Sequence, residues 1–495
     1  MTNEQGFSGR WGLIITSLGM AIGAGNLWRF PRLAGQYGGS FILLWFLFLF
    51  VWSIPILLAE FAIGKRIRKN VVASFSNAAG WKFSWMGIFI FCCTLGITFY
   101  YSVVVSWGLH FLFWAFDFAF SSWTSDVPVT YDQVYFDNLW NTVSSNHWPT
   151  MLMHGGVIIV AVLVLVRGVQ HGLEYASKIL IPSLFVLLLV LAASTFSQEG
   201  GREGLAYMFN IRPELFSDPV VWVEALSQSA WSTGAGWGLI MTLGSYSKRD
   251  DDVTFNVVMS GLGNNVASMV CAVAIIPAVF LLAPSAQEAV SLLQTGNQAL
   301  TFTVIPNLFE QLPAGEFVAI LFFLAFSLAA FSSLLTMLEM FLRFVSDLGM
   351  PRGRALFIIA ILCFVFGAPS AWSLDFFTNQ DWVWGVGLIL SGMFVTFAVL
   401  KIGIGNFKRE WIDMPGNLKF PDLLFKIFML SIIPLGLGLV YWWLSRGYSD
   451  YPWFDELGNW NFIDVYSNAT VITQWALVLG AGALFSVFLR RKFEH

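Results

Sequence analysis

A few polar residues stand inside stretches otherwise apolar enough to span a bilayer, and their types limit the chemistry open to them. Asn26 sits with Gly19, Gly23 and Gly25 in LIITSLGMAIGAGNL, residues 13–27. Far downstream, Ser232-Thr233-Gly234-Ala235-Gly236-Trp237-Gly238 interrupts another apolar stretch. Asn264 and Ser268 fall four apart beside Asn265 and share a helix face. Ser332 and Ser333 follow Ala329-Ala330-Phe331. An asparagine in a membrane helix ordinarily bonds a neighbouring helix, and a serine pair ordinarily bonds back to its own backbone. The glycines alter that expectation. Each costs a helix about 1 kcal/mol relative to alanine, so clusters favour unwinding, and unwound backbone at membrane depth survives only inside protein or beside a wet cavity. Freed carbonyls, an amide oxygen and hydroxyls make a ligand set for a hard cation, while a half-helix N-terminus offers amides to an anion. An enzyme needs a nucleophile with its base, or a metal set. No CxxC or HExxH run occurs, and the five histidines are scattered.

The elements that must position these residues follow from composition. The chain has 495 residues, 57% hydrophobic and 11% charged, with mean hydropathy +0.70. A soluble domain carries about 25% charge, so this is an all-α polytopic membrane protein. Long uncharged runs predict about twelve spans, starting near Gly12, Phe41, Trp85, Met151, Tyr175, Val221, Val253, Phe317, Ala355, Trp382, Leu423 and Ala469. Lys178, Glu224 and Lys426 lie near span ends, where long side chains reach the interface. Basic residues recur at every second loop, from Lys65, Arg66, Arg68 and Lys69 to Arg490 and Arg491. The loop from Phe116 to Thr150 has Asp117, Asp126, Asp132 and Asp137 and no Lys or Arg, and Pro284 to Glu316 is likewise free of bases. The asymmetry places both termini in the cytoplasm. No signal peptide is read at the start, and no basic cluster points to nucleic acid. Cys92, Cys93, Cys271 and Cys363 lie in apolar spans and predict no disulfide. Two glycine-broken spans at matching places in two halves point to a transporter binding site.

Three motifs carry a resemblance to a known family. Gly23-Ala24-Gly25-Asn26-Leu27-Trp28-Arg29-Phe30-Pro31 resembles the first-helix signature of the neurotransmitter:sodium symporter family. STGAGWGLIMTLGS, residues 232–245, resembles its broken sixth helix, and AAFSSLLTMLE, residues 329–339, its eighth. The resemblance implies a leucine-transporter-like fold, with spans 1–5 and 6–10 as inverted repeats over residues 12–403. Residues 1–11 would precede this core, and spans 11 and 12 with the C-terminus would occupy 404–495. It also implies two sodium sites. The first would use the Ala21 carbonyl, the side chains of Asn26, Ser232 and Asn264, and the substrate's carboxylate. The second would use the carbonyls of Gly19, Ile22 and Ala329 and the hydroxyls of Ser332 and Ser333. Substrate would lie against Ala21, Gly23, Gly25, Ile97, Tyr101, Trp231, Gly234, Trp237, Ser333 and Met337. Monoamine carriers place an aspartate where this chain has Gly23, so the substrate should bring its own carboxylate, as an amino acid does. Gly234 leaves room, which leans the side chain towards medium or large, apolar or aromatic.

The resemblance further implies an outer gate pairing Arg29 with Asp381, and an inner gate at Tyr246 and Asp347. The family's N-terminal Arg and Trp are replaced by Glu4 and Phe7, leaving Arg10, or no arginine, for Asp347. Gln228, Ser232, Asn264 and Ser268 match the chloride-using pattern, but its tyrosine reads Trp45. Either an indole N–H completes an altered anion site, or these polar groups satisfy one another. The leading reading is therefore a sodium-coupled amino-acid symporter, not an enzyme. Its alternatives are a sodium-independent exchanger of the same fold and a transport-like channel or sensor. Oligomeric state is not legible.

Overall fold

The computed structural model describes residues 6–493 apart from 125–130, 146, 197–198, 295–296, 311, 313 and 448; Glu4 and Asp126 lie outside the described residues. The architecture is helical, and among the described residues extended pairing is confined to a bridge between Phe454 and Trp460. Among the described residues ten helices are long and apolar enough to cross a membrane. The two broken spans complete the expected twelve. This is a multi-pass membrane protein.

The first span is helical over Arg10–Ala21, extended at Ile22 and Gly23, and helical again over Ala24–Leu27. It continues into Arg29–Phe48, where Gly38 (φ 61°, ψ −150°) makes the turn that begins span 2. The sixth is helical over Pro219–Thr233 and Leu239–Tyr246. Between them Gly234, Gly236 and Gly238 take φ of 75°, 88° and 75°, a region that side chains with a Cβ rarely adopt. The two breaks thus use glycine differently. Span 6 needs its backbone freedom. Span 1 needs its small size: a Cβ on Gly23 would lie 2.5 Å from Tyr101 Oη and 2.9 Å from Ser333 Oγ, and one on Gly25 would lie 3.1 Å from the Trp231 ring.

Helices Ser84–Thr124 (span 3), Val253–Leu282 (span 7) and Gly315–Asp347 (span 8) pack around the breaks. Span 10 begins at Leu374 rather than near Trp382. Its first turns carry Asn379-Gln380-Asp381, which hides the start from a hydropathy reading. In the fold Asn379 bonds Thr470 and the Val465 carbonyl, and Gln380 bonds Gln474. The acidic loops also differ from plain loops, since Gln133–Ser145 and Ala286–Leu293 are helices.

Candidate functional site

The two breaks meet at a cavity of about 10 Å³, space for about one water. It is lined by Met20, Ala21, Gly23 and Asn26 of span 1, Tyr101 of span 3, Trp231, Ser232, Gly234, Trp237 and Leu239 of span 6, and Ser333 and Met337 of span 8. Ile97 is buried on span 3, and Gly25 lies against Trp231, but neither lines this cavity. The room expected at Gly234 is taken by Met20, whose Cε would be 3.0 Å from an added Cβ. Trp231 packs edge-on against Trp237 at 5.2 Å and tilted to Tyr101 at 6.2 Å. The aromatic groups therefore set the size of the pocket, and a ligand of amino-acid size needs them to move.

Local hydrogen bonds explain how the first break is held. Asn26 Oδ1 accepts from the Gly23 N–H at 3.1 Å, and Tyr101 Oη accepts from the Ala24 N–H at 3.1 Å. The amide expected to face an anion at Gly23 is thus already capped. Tyr101, having accepted, keeps its own proton to donate. Asn26 Nδ2 donates to Asn264 Oδ1 and to Ser268 Oγ, both at 2.8 Å. In that orientation Asn264 Oδ1 also faces the Ser232 carbonyl oxygen at 3.1 Å and the Ala21 carbonyl oxygen at 3.2 Å. Three oxygens without a proton between them repel. Either the amide turns over to donate to both carbonyls, or a cation sits among the oxygens.

A second group of oxygens lies between spans 1 and 8. Ser332 Oγ reaches the carbonyls of Gly19 and Ala329, each at 2.9 Å. Ser333 Oγ reaches those of Gly19 at 3.2 Å and Met20 at 3.0 Å. The Met20 carbonyl thus joins the group, while the Ile22 N–H closes the last turn onto Leu18 at 2.7 Å. Gln228, four residues before Ser232, is fully buried, and among the described residues neither of its amide atoms is bonded; Trp45 Nε1 is likewise buried with no partner among them.

The expected gates are rearranged. Arg29 bonds Glu224 at 3.0 Å and Ser227 at 3.0 Å, and forms no ion pair with Asp381. Asp381 instead accepts from the Tyr100 hydroxyl at 2.8 Å. Glu224 therefore does not reach for the interface; it faces a cavity that Arg29 and Asp381 also line. On the opposite side Arg10 does not serve Asp347. Arg10 lies 4.0 Å from Asp252 and over the Phe255 ring, while Asp347 pairs with Arg343 at 3.3 Å and accepts from the Asn70 N–H at 2.6 Å. Tyr246 donates to buried Glu339 at 2.8 Å, and Arg352 also binds that carboxylate at 2.6 Å. The N-terminal segment is held elsewhere: the Ser8 N–H donates to Glu174 at 2.8 Å, and Lys178 pairs with the same carboxylate at 2.6 Å.

Glu60 was not singled out by the sequence reading, yet it organises the second break. Its carboxylate, fully buried on span 2, accepts from the Gly238 N–H at 2.7 Å and the Gly236 N–H at 3.3 Å. A lone acid in IPILLAEFAIG was the available signal, because a charge at membrane depth needs a partner.

Twelve spans among the described residues, two of them broken side by side around a small pocket lined by polar and aromatic groups, define a secondary transporter. The chain belongs to the sodium:neurotransmitter symporter family, whose model matches residues 4–147 and 141–435. It is 27% identical over 454 residues to a protein described as uncharacterized sodium-dependent transporter YhdH of Bacillus subtilis (strain 168), covering 87% of this chain and 95% of that one. The sodium- and chloride-dependent transporter XTRP3 of Rattus norvegicus is 26% identical over 287 residues, 52% of this chain and 46% of the relative. The crystal structure of MhsT in complex with L-phenylalanine aligns with a TM-score of 0.76 at 27% identity, covering 88% of this chain and 99% of that one. The family is one of sodium-coupled transporters, not enzymes.

Proposed function

We propose that this protein is a sodium-coupled symporter that carries an amino acid, apolar or aromatic in its side chain, into the cell across the inner membrane by alternating access. Both termini would be cytoplasmic. The observation that carries the reading is the convergence of the Asn264 side-chain amide on the Ala21 and Ser232 carbonyl oxygens, 3.2 and 3.1 Å from its nearer atom; with the amide oxygen turned towards them, the three form a hard-oxygen set that a cation would join. The oxygens of Gly19, Met20, Ala329, Ser332 and Ser333 support a second cation site. The Tyr101 hydroxyl and the cation at the first site would take the substrate carboxylate. That shared contact couples the two ligands, each raising the affinity of the other by the same factor. The aromatic lining supports an apolar or aromatic side chain, as does the phenylalanine bound by MhsT. Binding of radiolabelled L-phenylalanine to purified protein, in sodium or in choline, tests the reading. Sodium should be required, and phenethylamine, which lacks the carboxylate, should not compete. Equal binding in choline, or competition by the amine near the concentration of the amino acid, would contradict it.

A specific observation supports chloride as a further ion. Ser268 and Ser232 each accept from an asparagine amide, which leaves both hydroxyl protons free. The Gln228 amide N–H and Trp45 Nε1 are buried donors that find no acceptor among the described residues, and the two hydroxyl protons would join them. An anion there would sit close to the first cation; two unit charges ~5 Å apart at an effective dielectric of ~20 attract by about 3 kcal/mol. Trp45 would replace the family's tyrosine as a donor. Uptake with chloride replaced by gluconate should fall several-fold, and Ser268→Glu should make uptake indifferent to chloride. Wild-type uptake unchanged in gluconate would remove the anion from the account.

A further inference from the structure

Away from the broken helices, a cavity of about 380 Å³ opens on the basic side of the protein. It lies where three segments meet: the last turn of the helix Ile54–Ile67, the turn after Tyr246, and the short helical stretch Lys408–Ile412. Lys65, Arg66, Arg68 and Arg249 line it, with Glu410 as the acid among the lining residues. These cations are not equally committed. The Lys65 ammonium donates to the Asp251 carbonyl and is flanked by Asp250, Asp251 and Asp252. Arg68 donates to the Ser247 carbonyl at 2.8 Å. Burial, then the nearby charges of Arg249 and Arg343, hold its guanidinium below the usual arginine range. Arg66 and Arg249 are exposed and form no ion pair among the described residues. Arg66 stands 6.0 Å from the Trp411 ring.

Like charges crowded around an open cavity are unfavourable until an anion joins them. Guanidinium forks match phosphate oxygens, and the volume is that of a small-ligand site. Its place beside the end of a membrane helix, with a tryptophan at its wall, is where anionic lipid headgroups meet protein. We propose that this cavity binds a phosphate-bearing anion, with Arg66, Arg68 and Arg249 on the phosphate and Trp411 against the attached group. Occupancy would tie span 2 to the segments that follow spans 6 and 10, so it would stabilise the arrangement in which the three ends meet.

Native mass spectrometry of the full-length transporter tests this with phosphatidylglycerol and phosphatidylcholine of matched chains. Inorganic phosphate and glycerol phosphate serve as soluble probes. The wild type should retain phosphatidylglycerol about tenfold over phosphatidylcholine, and Arg66→Gln/Arg249→Gln should bring the two near parity. Thermal unfolding and sodium-dependent substrate binding of the variant should match the wild type in phosphatidylcholine, which separates loss of the site from loss of fold. Displacement of phosphatidylglycerol by millimolar glycerol phosphate would identify a soluble ligand as the source of the phosphate; persistence would identify the lipid. Equal retention of both lipids by the wild type, or a preference that survives the double substitution, would overturn the proposal.

Discussion

Gly23 is the residue on which the pocket turns. Its hydrogen leaves the space that Tyr101 Oη and Ser333 Oγ occupy, and a Cβ would fall 2.5 and 2.9 Å from them. Overpacking of this kind costs typically ~1–3 kcal/mol, so Gly23→Ala should weaken substrate binding by about tenfold or more. Gly23→Ala/Tyr101→Phe should recover part of the loss by removing the nearer atom. Isothermal titration with the amino acid measures both; an unchanged affinity in Gly23→Ala would contradict the geometry. Asn26→Ala should abolish sodium-driven uptake, because it removes the amide that holds Gly23, Asn264 and Ser268 together. Ser332→Ala/Ser333→Ala should do the same through the second oxygen group. Undiminished accumulation in both, with sodium present, would sink the ion assignment. Asn26, Asn264, Ser332 and Ser333 were legible in the sequence because polar side chains stand out in apolar runs. The Met20 carbonyl and the methionine that fills the space at Gly234 were not, since neither a backbone oxygen nor a rotamer leaves a mark in residue type.

Both breaks could be read from glycine clusters, but what holds them open could not. Glu60 spans the Gly236 and Gly238 amides from a helix distant in sequence. Glu60→Gln keeps the size but offers one oxygen and turns an NH2 towards the other N–H. An unsatisfied buried donor costs about 1–3 kcal/mol. We expect a lower unfolding temperature and loss of uptake, and a variant that transports normally would refute the role given to this side chain. The outer latch shows a similar limit. The resemblance paired Arg29 with Asp381, yet Glu224, one helical turn before Gln228, is the nearer acid. A partly exposed pair is typically worth ~1 kcal/mol or less, so its effect should appear in conformational balance rather than in folding. On a Gly385→Cys background, whose Cβ has ordinary contacts beside Trp231, Glu224→Gln should raise labelling by an impermeant thiol reagent about threefold. Asp381→Asn should raise it less. The reverse order would restore the expected gate.

Across the whole molecule, the order and number of spans were legible because hydropathy integrates over twenty residues and tolerates local exceptions. Span 10 was misplaced where its first turns spend polar groups on span 12, a contact that hydropathy cannot see. The fold joins two oxygen groups and one substrate pocket through the same few residues: Gly19 to Asn26 serve all three. Substrate movement and sodium movement should therefore be inseparable in this protein. The direct measurement is uptake of labelled L-phenylalanine into proteoliposomes holding the purified protein. An inward sodium gradient is compared with equal sodium on both sides and with choline. Accumulation above the external concentration under the gradient, collapsing when the gradient is dissipated, is the result this account predicts. Equal uptake in choline and sodium, with no accumulation in either, would contradict it.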